Sequence, residues 1–154
     1  GVGSTFWFTL PLDTKRTDIE LSPDIPVQSE ETPRSDRHHS ILIAEDVYEN
    51  YFLLETLFGK QYQLYHALNG QEAIDMFETY HPDLILMDIK MPVMDGFEAT
   101  RRIRTLSKTI PIIALTAFAF EREKEIAKQC EFTDYVVKPI DIKELKKLIV
   151  KVLA

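Results

Sequence analysis

The chain has 154 residues and a formal net charge of −7, with 45% hydrophobic and 28% charged residues. This is the composition of an ordinary globular protein, and the length holds one domain with some residues to spare. The acidic balance argues against nucleic acid or an anionic membrane as a direct partner, and no apolar run reaches the length of a membrane span. The single cysteine, Cys130, excludes an internal disulfide, favours a reducing compartment, and is best interpreted as a small buried apolar residue.

The first twelve residues predict one β-strand, rich in aromatic and β-branched side chains and ended by Pro11. Apolar side chains fall on both of its faces, which a strand standing alone cannot bury. The pattern Gly-x-Gly-Ser-Thr-Phe-x-Phe-x-Leu-Pro resembles the last strand of the ATP-binding domain of sensor histidine kinases. Because the chain starts with neither Met nor a signal-peptide pattern, we expect a fragment of a longer protein, with residues 1–12 as the remnant of that domain. The alternative is an edge strand of the domain that follows.

Residues 13–39 predict a linker, because they carry three prolines and many charged and hydroxyl residues without any periodicity. His38 and His39 lie at its end. Two adjacent histidines in a polar linker are most simply solvated, rather than metal ligands or phosphorylation sites.

From residue 40 onward, apolar strands alternate with amphipathic helices. The predicted strands cover residues 41–46, 63–68, 84–88, 110–116 and 135–138. The predicted helices cover residues 47–59 with Gly59 as C-cap, 70–80, a segment opened by Gly96, the charged stretch 121–130, and a last helix opened by the capping-box spacing Asp141-x-x-Glu144. Such alternation predicts right-handed βαβ crossovers and a doubly wound α/β fold. We expect a five-stranded parallel sheet in the order 2-1-3-4-5, in a flavodoxin-like three-layer sandwich.

Carboxylates follow two strands that this order makes neighbours. Glu45 and Asp46 follow the first strand, and Asp88 ends the third. Crowded carboxylates repel one another unless a cation neutralises them, and without Cys or His nearby the preferred ion is Mg²⁺. Lys138 would bring three carboxylates and Mg²⁺ to formal neutrality, and the Thr116 hydroxyl could bond a phosphoryl oxygen. The sequence therefore predicts phosphoryl transfer to a carboxylate nucleophile.

These motifs, in this order and spacing, resemble the receiver (CheY-like) domain of two-component response regulators over residues 41–154. The matching features are Glu45-Asp46, Asp88 with the loop Met91-Pro92-x-Met-Asp95-Gly96, Thr116-Ala117 and Lys138-Pro139.

The resemblance implies roles for the acidic residues. Asp88 is the expected phosphoacceptor. Asp46 and Asp88 are the expected Mg²⁺ ligands together with the backbone carbonyl of Lys90, and Glu45 is expected to act largely through water.

The resemblance also implies roles for residues at the ends of the fourth and fifth strands. Thr116 and Lys138 are expected to hold the phosphoryl group, and Thr116 and Tyr135 to switch conformation with it. The peptide bond before Pro139 is expected to be cis.

Two positions depart from the family's pattern. Glu131 stands where a Gly usually ends the fourth helix, so we expect that helix to end without a left-handed cap. Val47 stands where Asn is frequent, which affects the entry into the first helix more than the chemistry.

We therefore expect residues 40–154 to be the receiver domain of a hybrid sensor histidine kinase, cytoplasmic, in a parent chain that could be anchored in the inner membrane. The expected phosphodonor is a phosphohistidine on the same or another kinase chain. The expected acceptors are a histidine phosphotransfer protein, an output domain and, slowly, water. Further expectations are a dimer through the face of the fourth helix, fifth strand and last helix, or through an exchanged N-terminal strand.

Two alternatives stay open. A Mg²⁺-dependent phosphatase of the haloacid-dehalogenase type would carry a second Asp at position 90, where this chain has Lys90. A phosphate-independent interaction module would not need the complete set of reactive groups that the sequence contains.

Overall fold

A computed structural model describes residues 38–117 and 131–154 of the chain. The predicted strand 1–12, the predicted linker up to residue 37, and the predicted helix 121–130 with Cys130 lie outside the described residues. His38 and His39 are described and exposed, with His39 Nδ1 3.8 Å from a carboxylate oxygen of Asp83.

The described residues form a parallel sheet with helices on both of its faces. The strands are β1 (Ser40–Ala44), β2 (Gln63–Ala67), β3 (Leu84–Asp88), β4 (Ile112–Thr116) and β5 (Asp134–Val137). The described helices are α1 (Tyr48–Phe58), α2 (Gly70–Tyr80), α3 (Gly96–Leu106) and α4 (Ile142–Leu153). The strand order is β2-β1-β3-β4-β5 and every pairing is parallel, which confirms the predicted fold class.

The central strands are apolar throughout because both of their faces are covered. In β1, Ile41 and Ile43 pack in a core cluster with residues of α1 and α4, whereas Leu42 and Ala44 pack in a second cluster with residues of α2 and α3. All five residues of β3 are buried, including Asp88 at its end. β2 is more exposed, as expected of an edge strand.

The caps predicted at the helix ends are only partly confirmed. The Asp141 side chain accepts hydrogen bonds from the backbone N–H groups of Lys143 and Glu144, as its capping position predicts. Gly59 is the C-cap of α1, but its φ of −63° is right-handed, so the left-handed conformation associated with a glycine cap is not adopted there.

Glu131 corrects the expectation for the turn before β5. Its φ is 58°, so it adopts the left-handed conformation although it is not glycine. The Arg104 guanidinium Nε donates a hydrogen bond to the Glu131 carbonyl oxygen at 2.9 Å. Arg104 is almost fully buried and also donates to the Ile110 carbonyl oxygen, so it fixes this turn against the end of α3. These contacts hold Glu131 in the left-handed conformation, which costs free energy because the residue is not glycine.

None of the helices in the described part of the chain is long and apolar enough to cross a membrane.

Candidate functional site

Three carboxylates meet at the carboxyl edge of the sheet. Glu45 and Asp46 follow β1, Asp88 ends β3, and one carboxylate oxygen of each lies within 4.8 Å of the others. The register of the two strands explains the meeting, because Ala44 pairs with Met87 and the next residue on each strand is an acid. Asp46 is exposed, whereas Glu45 and Asp88 are buried.

Lys138 brings a positive charge to two of these acids. Its Nζ lies 2.7 Å from Glu45 Oε2 and 2.7 Å from Asp88 Oδ2. The Lys138 side chain is 21% exposed, that of Glu45 is 0% exposed and that of Asp88 is 8% exposed. Burial lowers the pKa of Lys138, but the hydrogen bonds and charges of Asp88 and Glu45 outweigh burial and leave that pKa raised. The lysine is therefore held charged between the two carboxylates.

The backbone at the end of β5 directs Lys138 toward the acids. The Lys138 N–H donates to the Thr116 carbonyl oxygen at 2.6 Å, which extends the pairing of β4 with β5. The Lys138–Pro139 peptide bond is cis, as the resemblance implies.

The Glu45 side chain is engaged at both of its oxygens. Oε1 accepts hydrogen bonds from Asn50 Nδ2 at 2.9 Å and from the Val47 N–H at 3.3 Å, and Oε2 accepts from Lys138. A fully buried and fully bonded carboxylate fits the expected indirect role of Glu45 better than direct binding of an ion. Asn50 was not predicted as a site residue, although its position in the first turn of α1, five residues after Glu45, is a usable signal.

Asp88 is fixed by the loop that follows it. Its Oδ1 accepts the Lys90 N–H at 3.1 Å, while its Oδ2 accepts Lys138. The Gly96 N–H donates to the Ile89 carbonyl oxygen at 3.0 Å, so the start of α3 lies directly beside β3. A Cβ atom at position 96 would clash with the Asp88 carbonyl oxygen, which explains the glycine. Val93, at the loop's tip, has φ 66° and is 87% exposed, a strained conformation for a β-branched residue.

A cleft of about 560 Å³ opens beside the acids, and Asp46, Lys90 and Thr116 line it together with Met91 and Pro92. The structure thus places Thr116, at the end of β4, and Lys90 next to the carboxylates.

Tyr135 lies on β5, paired with Ala114, and is 39% exposed. Tyr135 is not among the residues that line the cleft, and its switching role stays a prediction.

The donor set at this edge fits Mg²⁺. The cluster offers carboxylate oxygens and contains no thiol or imidazole ligand, and hard divalent cations prefer such oxygens. The Lys138 charge alone leaves three carboxylates with an excess of negative charge, which a divalent cation would neutralise.

Comparisons with known proteins agree with the fold. The family described as "Response regulator receiver domain" matches residues 41–150. Sporulation initiation phosphotransferase F of Bacillus subtilis is 34% identical over 117 residues, which cover 75% of this chain and 94% of that protein. Sensor protein EvgS of Escherichia coli K12 is 34% identical over 151 residues, which cover 95% of this chain but 12% of EvgS. The regulatory protein AtoC of the same organism is 38% identical over 114 residues, and the match covers 73% of this chain and 25% of AtoC. The chain thus spans only a small part of two of these relatives.

Solved structures give the same answer. The receiver domain of the sensor histidine kinase PA1611 from Pseudomonas aeruginosa, described with a magnesium ion coordinated in its active-site cleft, is 33% identical with a TM-score of 0.71. That match covers 76% of this chain and 98% of that chain. The Saccharomyces cerevisiae Ssk1 receiver domain, in a co-crystal structure with the histidine phosphotransfer protein Ypd1, is 31% identical with a TM-score of 0.69, covering 73% and 87% of the two chains. The parallel sheet, the acidic edge and these matches together place the chain in the response regulator receiver domain family.

Proposed function

We propose that this receiver domain accepts a phosphoryl group on Asp88 from a phosphohistidine in a Mg²⁺-dependent reaction. The observation that carries the proposal is the meeting of Glu45, Asp46 and Asp88 within 4.8 Å, with Lys138 bonded to two of them. Phosphoryl transfer depends mainly on positioning and on neutralising charge, and this edge of the sheet supplies both.

The surroundings of the three acids favour Asp88 as the nucleophile. Glu45 is fully buried and both of its oxygens are engaged, so it cannot approach a phosphorus atom. Asp46 is exposed and has no contact with Lys138 among the described residues. Asp88 lies within 4.8 Å of Asp46, which lines the cleft, and it has a lysine at 2.7 Å that could follow the charge onto the phosphoryl oxygens.

In the reaction, an Asp88 carboxylate oxygen forms a bond to phosphorus while the N–P bond of the phosphohistidine breaks. The electron pair of that bond leaves with the imidazole. Lys138 would exchange its bond with Asp88 for one with a phosphoryl oxygen, and the Thr116 hydroxyl would bond another. Mg²⁺, held by Asp46, Asp88 and the Lys90 carbonyl, would neutralise the charge of the acids and the phosphoryl group.

We further propose that the parent protein is a hybrid sensor histidine kinase. Residues 1–12 would be the last strand of its ATP-binding domain, 13–39 a linker, and 40–154 the receiver. The match to EvgS supports this proposal, because it extends over 95% of the chain whereas the family match covers residues 41–150. The PA1611 receiver, also from a sensor histidine kinase, points the same way. A kinase of this kind would keep the receiver in the cytoplasm, where ATP is available.

The expected partner is a helical domain that carries the phosphohistidine, and α1 offers it an apolar surface beside the acids. Val47, Tyr48 and Phe52 are 43%, 62% and 54% exposed, and the rings of Tyr48 and Phe52 stack with centroids 6.2 Å apart. Exposed aromatic residues next to a reactive carboxylate favour protein docking over simple solvation. The Ssk1–Ypd1 complex supports a histidine phosphotransfer protein as one such partner.

The output of the domain would be a change at Thr116 and Tyr135. Phosphorylation adds about −1.5 to −2 charges at the cleft, which would draw Thr116 toward the phosphoryl group and turn Tyr135 inward. The surface of the predicted helix 121–130, β5 and α4 would then change, and with it the binding of a partner or of a second copy of the chain.

The test is phosphorylation of the purified protein by phosphoramidate, whose P–N bond resembles that of phosphohistidine. We expect Mg²⁺-dependent addition of one phosphoryl group, measured by intact mass, in the wild-type protein and in Asp75→Asn, which changes an exposed acid on α2. Asp88→Asn should stay unmodified. Equal labelling of Asp88→Asn, or labelling that EDTA does not reduce, would contradict the proposal. Rapid multiple turnover of a simple phosphate ester would favour the phosphatase alternative.

A further inference from the structure

The side chain of His66, on the edge strand β2, reaches the backbone of the acidic site. Its Nε2 lies 2.8 Å from the Glu45 carbonyl oxygen. The backbone ladder between β1 and β2 ends with Ala44 paired to Ala67, and the Glu45 N–H still donates to the Ala67 carbonyl oxygen at 3.0 Å. The Glu45 carbonyl is therefore bonded by an imidazole rather than by the next backbone group. Because a carbonyl oxygen only accepts, Nε2 must carry the hydrogen.

The His66 ring is held in this orientation by Tyr51 of α1. The two rings are nearly parallel, with an angle of 3° between their planes and centroids 3.6 Å apart. Tyr51 is itself buried, and its hydroxyl donates a hydrogen bond to Glu55 Oε1 at 3.0 Å. The imidazole consequently has little freedom to rotate away from the Glu45 carbonyl.

With this bond, every hydrogen-bonding group of Glu45 is fixed. Its N–H donates a hydrogen bond to β2, and its carbonyl accepts one from His66. Its carboxylate accepts hydrogen bonds from Asn50, the Val47 N–H and Lys138. The next residue in the chain is Asp46, whose exposed carboxylate completes the acidic cluster. The direction in which Asp46 leaves the strand depends on the peptide plane that contains the Glu45 carbonyl.

We propose that His66, braced by Tyr51, is a positioning residue that orients the Glu45–Asp46 peptide and thereby sets the affinity of the acidic site for a divalent cation. This inference rests on the proposed function of the site. Removing a group that hydrogen-bonds a metal ligand typically weakens metal binding by about 10–100-fold. His66 bonds the peptide beside the ligand Asp46 rather than the ligand itself, so we expect an effect at the lower end of that range.

The experiment measures Mn²⁺ binding to the full chain by electron paramagnetic resonance of the free ion, with Mg²⁺ as competitor. His66→Phe keeps an aromatic ring on Tyr51 but removes the donor, and we expect its Kd to rise by about tenfold. His66→Gln places an amide N–H near the position of Nε2, and we expect it to restore most of the affinity. A purely structural role for His66 would not produce rescue by Gln, because Gln loses the stacked ring.

Melts in EDTA establish that each variant is folded at the temperature of the titration. If His66→Phe does not fold, Tyr51→Leu replaces it, with Tyr51→Phe as the matched control that keeps the ring and loses only the hydroxyl. We expect Tyr51→Leu to weaken Mn²⁺ binding and Tyr51→Phe to bind like the wild-type protein.

The outcomes separate the two proposals. If the wild-type protein binds Mn²⁺ and both His66→Phe and Tyr51→Leu bind it equally well, the positioning role is wrong and the site stands. If His66→Gln binds as weakly as His66→Phe, the hydrogen bond to the Glu45 carbonyl is not the cause. If the wild-type protein does not bind Mn²⁺ or Mg²⁺, the proposed function fails first.

Discussion

Replacing Asp88 by Asn should stabilise the protein when no divalent cation is present. The substitution removes one of three carboxylates whose oxygens lie within 4.8 Å of one another, but it also removes the charge that attracts Lys138 at 2.7 Å. The sign of the effect therefore depends on whether the repulsion lost exceeds the attraction lost.

The repulsion lost and the attraction lost nearly cancel, so the cost of burying the Asp88 charge decides the sign. At an effective dielectric constant of about 20, the repulsion from the buried Glu45 across at most 4.8 Å costs roughly 3.5 kcal/mol. The repulsion from Asp46 costs only roughly 1 kcal/mol, because Asp46 is exposed and water screens its charge. The attraction to Lys138 across 2.7 Å contributes roughly 6 kcal/mol on the same scale. These Coulomb terms alone favour the carboxylate by roughly 1.5 kcal/mol. Asn costs less to bury than a carboxylate and its amide oxygen still accepts a hydrogen bond from Lys138, so we expect a net gain of about 1 kcal/mol for Asn. For a domain of this size that gain raises the Tm by about 2–4 °C.

Thermal melts in EDTA and in Mg²⁺ test this reasoning. In EDTA, Asp88→Asn should melt above the wild-type protein, while Asp75→Asn on the outer face of α2 should melt close to it. Added Mg²⁺ should raise the Tm of the wild-type protein more than that of Asp88→Asn, because binding to the native state stabilises it by mass action. An Asp88→Asn variant that melts at or below the wild-type protein in EDTA would show that repulsion and burial of the Asp88 charge together cost less than its attraction to Lys138 provides.

Three further predictions concern single positions. Val47 is the N-cap of α1 but makes no side-chain capping bond, so Val47→Asn should raise the free energy of unfolding by about 1 kcal/mol in urea titrations, with Val47→Ala as a control that gains nothing. Glu131→Gly should stabilise by about 1 kcal/mol because it relieves the left-handed φ of 58°, and Glu131→Ala, which keeps the Cβ, should not. The pKa of Lys138 is raised by its acidic partners, so its contribution to stability is complete below pH 10.5 and is lost as the pH rises through the raised value. Burial and Glu55 raise the pKa of Tyr51 to about 12, so Tyr51 contributes to the same loss of stability at alkaline pH. The difference in Tm between the wild-type protein and Lys138→Met, measured from pH 9 upward, therefore isolates the contribution of the lysine. If the two curves of Tm against pH run parallel, the assignment is wrong.

The sheet could be predicted from the sequence because its central strands are apolar runs separated by helix signals. The meeting of Asp46 and Asp88 also followed from sequence, since the carboxyl ends of neighbouring parallel strands share one edge of a sheet. The ends of elements were less accurate. β1 ends at Ala44 rather than at Asp46, because the paired register stops there although the Glu45 N–H continues the bonding.

The supporting contacts of the site could not be predicted in the same way. Nothing in the sequence marks His66, on the predicted strand 63–68, as part of the site. Its bond to the Glu45 carbonyl depends on the register of β2 against β1. Its stacking on Tyr51 depends on how closely α1 packs against that edge. These distances between elements are set by tertiary packing, which local periodicity does not encode.

The absence of a side chain at Gly96 has a consequence for how the domain can respond to phosphate. The first turn of α3 packs directly against the Asp88 carbonyl, so α3 cannot move closer to Asp88. We therefore expect a rearrangement that follows phosphorylation to involve the ends of β4 and β5 rather than the start of α3. Even alanine at position 96 would place its Cβ against the Asp88 carbonyl oxygen, so any side chain there would force the start of α3 away from Asp88.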